Sequence, residues 1–118
     1  MKASELRIGN YVQAKSLEKY IYESPVLINE GYFEMILNNL IDIKPIPLTE
    51  DWIVRFGFKK NKYGYYVNNT IHFLIGETDE TLGKIILAVN LDKTVIVEHV
   101  HQLQNLYFAL TGQELICQ

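Results

Sequence analysis

Val100-His101-Gln102-Leu103-Gln104-Asn105-Leu106-Tyr107-Phe108-Ala109-Leu110-Thr111-Gly112 is the stretch on which the fold turns. Val100, Leu103, Leu106, Tyr107 and Leu110 recur at helical spacing on one face, and Gly112 can end the helix in the left-handed conformation. The segment reads as a long C-terminal amphipathic helix. Before it, Lys84 to Val89 and Thr94 to Val97 form a hairpin around Asn90-Leu91-Asp92-Lys93, and Tyr63 to Val67 and Thr70 to Ile75 form another around Asn68-Asn69. These four strands predict a four-stranded antiparallel sheet, with Gly76 to Gly83 as an acidic loop. Upstream again, Thr49 is a fitting N-cap for a short helix from Glu50 to Phe56. Glu50 and Asp51 suit its positive end, and Gly57 with Phe58 closes it.

The N-terminal half reads as β-rich. Leu6 to Ala14 alternates around a break at Gly9-Asn10, and Tyr20-Ile21-Tyr22 and Pro25 to Ile28 are β-prone runs. Asn29-Glu30-Gly31 suggests a hairpin turn and Tyr32 to Leu37 its return strand. Ile41 to Pro47 alternates strictly, and its prolines confine it to an edge strand or an extended connector. The expected fold class is α+β, a single domain over residues 1–118: β-rich N-terminal half, short helix, four-stranded antiparallel sheet, long C-terminal helix.

Composition sets the bounds. Of 118 residues, 48% are hydrophobic and 21% charged, too apolar for disorder and enough for a core without disulfide or metal. A net charge of −3 argues against a broadly basic nucleic-acid-binding surface, while a local basic patch stays open. The lone Cys117 suits a reducing compartment. The opening MKASELRIGN has no apolar run, and no stretch approaches the length of a membrane span, so a cytoplasmic protein without membrane contact is expected.

Glu5-Leu6-Arg7-Ile8-Gly9-Asn10-Tyr11-Val12, Pro45-Ile46-Pro47-Leu48-Thr49-Glu50-Asp51-Trp52 with Phe56-Gly57-Phe58, and Val100 to Gly112 together resemble the small uncharacterised proteins of Bacteroidetes genomes, prophages and mobile elements. Residues 15 to 40 have no counterpart in that resemblance. It implies a phage or mobile-element setting in a bacterial host and brings no catalytic residues with it.

Several constellations carry possible chemistry. His99 and His101 flank Val100 and, with His72, are the three histidines. They sit where strand gives way to helix, and residues two apart on a helix point about 200° from each other. A junction role for an imidazole is therefore favoured over a metal site, and neither metal nor cofactor is expected. His101, Gln104 and Phe108, with Asn105 beside them, form a second helical face. Read plainly, Phe108 packs under the N-terminal half; read functionally, the four form a polar–aromatic binding surface. Lys59, Lys60 and Lys62 adjoin Tyr63, Tyr65 and Tyr66, the most basic segment of the chain, where aromatics and cations together suit bases and phosphates. Strand surfaces favour tyrosine without any ligand. Glu77 to Glu80 suits a solvated loop or a mimic of phosphate charge.

No nucleophile elbow, HExxH motif or phosphate-cradling glycine loop occurs. The expectation is a non-catalytic binding protein from a phage or mobile element that inhibits a host macromolecule. A CRISPR effector or other defence component, protein or ribonucleoprotein, is the concrete instance, met by exposed aromatics and charge on the last helix and around Lys59 to Tyr66, the latter being the place for any direct RNA contact. Two alternatives stand beside it: a small-ligand binder that sequesters a nucleotide signal, and an accessory structural domain.

Overall fold

Why the N-terminal segment folds as it does begins with Gly9. Its φ of 102° is left-handed, and its N–H bonds to the carbonyl of Ile28 at 2.8 Å. The turn lets the chain enter β1 (Tyr11–Ser16) with Val12 and Ala14 facing inward. The computed structural model describes residues 3–62, 66–68, 73–77, 85–89 and 93–117. Ahead of Gly9 lies a short 3₁₀ turn, Ala3–Glu5, and of the strand region read over Leu6 to Ala14 only the part from Tyr11 onward is strand. β1 pairs antiparallel with β2 (Glu23–Leu27) on one side and β3 (Ile41–Lys44) on the other, so it is the central strand of a three-stranded sheet. The register with β2 shifts between Val12 and Ala14. Ile41 to Lys44 is an edge, as its following prolines require.

The expected return strand at Tyr32 to Leu37 is instead a helix, α1 (Glu30–Leu37). Asn29, read as a hairpin turn residue, is its N-cap, and the Asn29 side-chain oxygen accepts the Tyr32 N–H at 2.9 Å. Tyr32, Phe33 and Ile36 then follow a helical rather than an alternating period: Ile36 joins the buried cluster of Leu6, Val12, Ala14, Val26, Ile28 and Ile43, and Tyr32 and Phe33 pack against it. Aromatic and branched residues suggested a strand; burial of one helical face decided otherwise. Tyr20-Ile21-Tyr22 is not a strand either, since β2 begins at Glu23.

The chain divides into two compact units: Met1–Pro47 with His99–Glu114, and Leu48–Glu98 with Leu115–Gln118. In the first unit the C-terminal helix, α3 (Val100–Thr111), lies against β1, with Val100, His101, Leu103, Gln104 and Tyr107 buried. The expected stripe shifts accordingly, because Leu110 is exposed while His101 and Gln104 are buried. Gly112 (φ 72°) ends the helix, its N–H reaching the Phe108 carbonyl at 2.8 Å.

The second unit opens with α2 (Glu50–Arg55). Its end is a complete Schellman closure: Gly57 at φ 91°, Gly57 N–H to Val54 O at 2.9 Å, and Phe58 N–H to Ile53 O at 3.3 Å. Thr49 is the N-cap by backbone conformation without a side-chain hydrogen bond. Trp52, Ile53, Phe56 and Phe58 are buried, and the Trp52 and Phe56 rings lie 5.6 Å apart. The sheet has five antiparallel strands, not four, in the order β4 (Lys59–Lys60), β5 (Tyr66–Asn68), β6 (Phe73–Glu77), β7 (Ile85–Val89), β8 (Lys93–Val97). Lys59–Lys60, read as part of a basic segment, adds the edge strand. Gly76 and Glu77 belong to β6 rather than to the acidic loop, whose residues 78–83 lie outside the described residues. The class is α+β. Among the described residues no helix is long and apolar enough to cross a membrane.

Candidate functional site

The polar face of α3 holds the chain's own N-terminal loop. Gln104, fully buried, accepts the Tyr11 N–H at 2.9 Å on Oε1 and donates from Nε2 to the Gly9 carbonyl at 2.9 Å. Asn105 Oδ1 accepts from Asn10 Nδ2 at 2.8 Å and from Arg7 Nε at 3.2 Å, and its amide donates to the Glu5 carbonyl at 3.1 Å. Asn10 is itself fully buried and takes the Arg7 N–H at 2.7 Å. Arg7 pairs with Glu114, donating also from Nη2 to Oε2 at 3.3 Å, and its guanidinium lies 4.2 Å from the centre of the Phe108 ring. The half-exposed Phe108 is thus a stacking platform for Arg7. Buried polar groups demand partners, and here two sequence-distant segments satisfy each other.

His101 is buried at the first turn of α3, and its Nδ1 has no hydrogen-bond partner. Burial pushes its pKa down, with the neighbouring His99 acting in the same direction and Glu5 against it. The two imidazoles are stacked, with centres 5.8 Å apart and planes 16° apart. The expected divergence of residues two apart fails because His99 is the N-cap, with extended backbone (φ −130°, ψ 153°) rather than helical. Gln102 Oε1 accepts the His99 N–H at 3.0 Å, half of a capping box. His72 lies outside the described residues.

Among the basic-segment candidates, Lys59 and Lys60 form the exposed edge strand and Lys62 follows, also exposed. The Lys60 ammonium is 5.8 Å from the centre of the Tyr66 ring. Tyr66 is buried, while Tyr63 and Tyr65 lie outside the described residues.

A different surface was missed in the sequence. Between β1 and β2 the chain turns at Ser16, whose carbonyl accepts the Lys19 N–H at 3.1 Å, and the loop carries Leu17, Tyr20 and Ile21 outward. Tyr20 is 98% exposed, Ile21 81% and Leu17 62%, whereas apolar side chains normally shun such exposure together. Below the loop lies a half-open cleft of about 190 Å³, lined by Ala14, Lys15, Lys19, Ile21, Tyr32 and Met35 among others. Tyr22, the next residue after Ile21, donates its hydroxyl to Asp42, and its ring has Lys44 Nζ at 4.5 Å and Lys15 Nζ at 5.6 Å. That hydrogen bond raises the Tyr22 pKa and lowers that of Asp42, to which the positive charges of Lys15 and Lys44 add. The available signal was Tyr20-Ile21-Tyr22 itself. Three consecutive large side chains with no polar alternation give a strand no solvent face.

Compared with protein-family models, curated proteins and solved structures, the chain matches none of them.

Proposed function

We propose that this chain is a non-catalytic binding protein that acts by occupying a host macromolecule, with the β1–β2 tip as its contact surface. The observation that carries this reading is the exposure of Leu17, Tyr20 and Ile21 side by side on a hairpin whose base is packed and hydrogen-bonded. Large apolar and aromatic side chains gain most when a partner removes them from water. The cleft beneath is smaller than the roughly 300–1,000 Å³ of ordinary ligand pockets, so it suits one partner side chain better than a nucleotide.

The resemblance to Bacteroidetes phage and mobile-element proteins supplies the setting. In it, a component of host defence, such as a CRISPR effector, is the target class, and inhibition follows from occupancy. A tagged chain retained on resin should recover a stoichiometric protein or ribonucleoprotein from a Bacteroidetes host, and a Tyr20→Ser/Ile21→Ser variant should not. Recovery of chaperones alone, or equal recovery by the variant, would sink this reading. A thermal shift produced by nucleotides in place of a macromolecular partner would turn it toward the sequestering of a small signal.

A further inference from the structure

The edge of the second unit has the chemistry of a different partner. From Trp52 to Gly76 the chain carries Arg55, Lys59, Lys60 and Lys62 and no Asp or Glu, although the whole molecule is acidic. The Schellman closure after α2 leads the chain directly into β4, so these cations are gathered at one end of that helix and on the edge strand beyond it. Lys59 is in register with Val67 and Lys60 with Tyr66. Successive strand residues face opposite ways, so the two lysines stand on opposite faces of the sheet at its rim. Both are exposed, and among the described residues neither is in an ion pair. Arg55 lies over the Trp52 ring at 4.4 Å and is exposed.

We propose that this rim, Lys59, Lys60 and Lys62 with Arg55 at its approach, holds the phosphate backbone of a single-stranded nucleic acid. Phosphates are the natural complement of clustered cations without intervening carboxylates. A flexible single strand can pass around the rim and meet lysines on both faces. A duplex, stiff over about 150 base pairs, presents its phosphates to one face only. Edge lysines also discourage strand-to-strand association, a role that needs no ligand and is separated by the experiment below.

The full chain is titrated into a fluorescein-labelled oligo-U of about 20 nucleotides, longer than the ~4–16 nucleotides a small single-strand binder covers, and anisotropy is read. Three phosphate contacts predict that affinity falls about 20-fold between roughly 50 and 200 mM salt. Lys59→Gln/Lys60→Gln/Lys62→Gln should weaken binding at least about tenfold and flatten the salt dependence, while the corresponding triple Lys→Arg variant should keep it within about threefold. A duplex of equal length should bind distinctly more weakly. The Tyr20→Ser/Ile21→Ser variant should bind oligo-U like the parent, so failure of the hairpin reading and failure of this one are seen separately. The proposal is overturned by absent saturable binding at low salt, by equal binding of the duplex, or by competition from polyglutamate as strong as from unlabelled oligo-U. It is overturned equally if the Lys→Gln protein aggregates while its soluble fraction binds unchanged, which leaves only the edge-guard role.

Discussion

Gln104 on α3 and Tyr20 at the β1–β2 tip invert what their residue types suggest. The amide, a polar group on a helix that seemed to offer a binding face, is fully buried and bonded at both ends to the backbone of residues 9 and 11. The aromatic ring, a natural core residue, is 98% exposed. The difference is whether an intramolecular partner exists. Gly9 and Asn10 break the strand and leave backbone groups that only a side chain can satisfy, so α3 supplies one. In the loop from Leu17 to Ile21, by contrast, no described residue covers Leu17, Tyr20 and Ile21, which stay largely exposed. A polar face that is internally satisfied is architecture, and an apolar face left uncovered is where association gains free energy.

The largest expected effect breaks the internal side of this contrast. Gln104→Ala empties a fully buried position and removes the side-chain partner of the part-buried Tyr11 N–H and Gly9 carbonyl, which should cost about 2–4 kcal/mol. A melting temperature lowered by roughly 10 °C or more would register it; a drop of only a degree or two would mean that water replaces the amide. The opposite outcome is expected at the tip. Tyr20→Ser/Ile21→Ser should change stability by less than about 0.5 kcal/mol yet weaken partner binding more than about tenfold. Substantial destabilisation there would show that the tip is part of the core after all.

A third test sharpens the internal side through pH. Burial lowers the folded-state pKa of His101 from its ordinary 6.5. As pH falls, the unfolded chain therefore takes up the proton first. Stability is full above about 6.5 and declines below it until the folded pKa is reached. His99 and the N-terminal amino group act with burial on this imidazole, and Glu5 acts against it. Melts from about pH 8 to about pH 5 should fall on the acid side, and His101→Leu should flatten that decline. An unchanged slope in the variant would assign the proton to another group.

Smallest are the solvent-facing contacts. Glu114→Ala removes a pair whose side chains are 28% and 36% exposed, so the loss should stay below about 1 kcal/mol in chemical unfolding and shrink further in high salt. A larger effect would mean that Arg7, once released, also abandons Asn105 and Phe108.

Legibility in the sequence followed the range of the interactions. α2 and α3 were readable because their signals are local: capping position, carboxylates in the first turn, apolar spacing, and Gly57 and Gly112 where a left-handed residue is needed. α1 was misread because Tyr32-Phe33-Glu34-Met35-Ile36-Leu37 satisfies both a strand's composition and a helix's spacing, and Asn29 serves equally as turn or cap. Lys59 and Lys60 could be marked as basic, but becoming an edge strand depended on pairing with Val67 and Tyr66. In the candidate site, Gln104, Asn105 and Phe108 were recognisable as a second helical face. Their bonding to Arg7, Gly9 and Asn10 was not, because nearly a hundred residues of chain separate the partners.

What the sequence determined by itself is therefore the α+β class, α2 and α3, most of the strand-forming runs and the charge map, since each rests on residues a few positions apart. What only the tertiary structure decided is which polar groups are satisfied and which apolar ones remain uncovered. Burial is a property of the assembled chain: the same amide is a ligand contact or a structural bond, and the same tyrosine a core residue or a docking tip, according to what folding brings beside it.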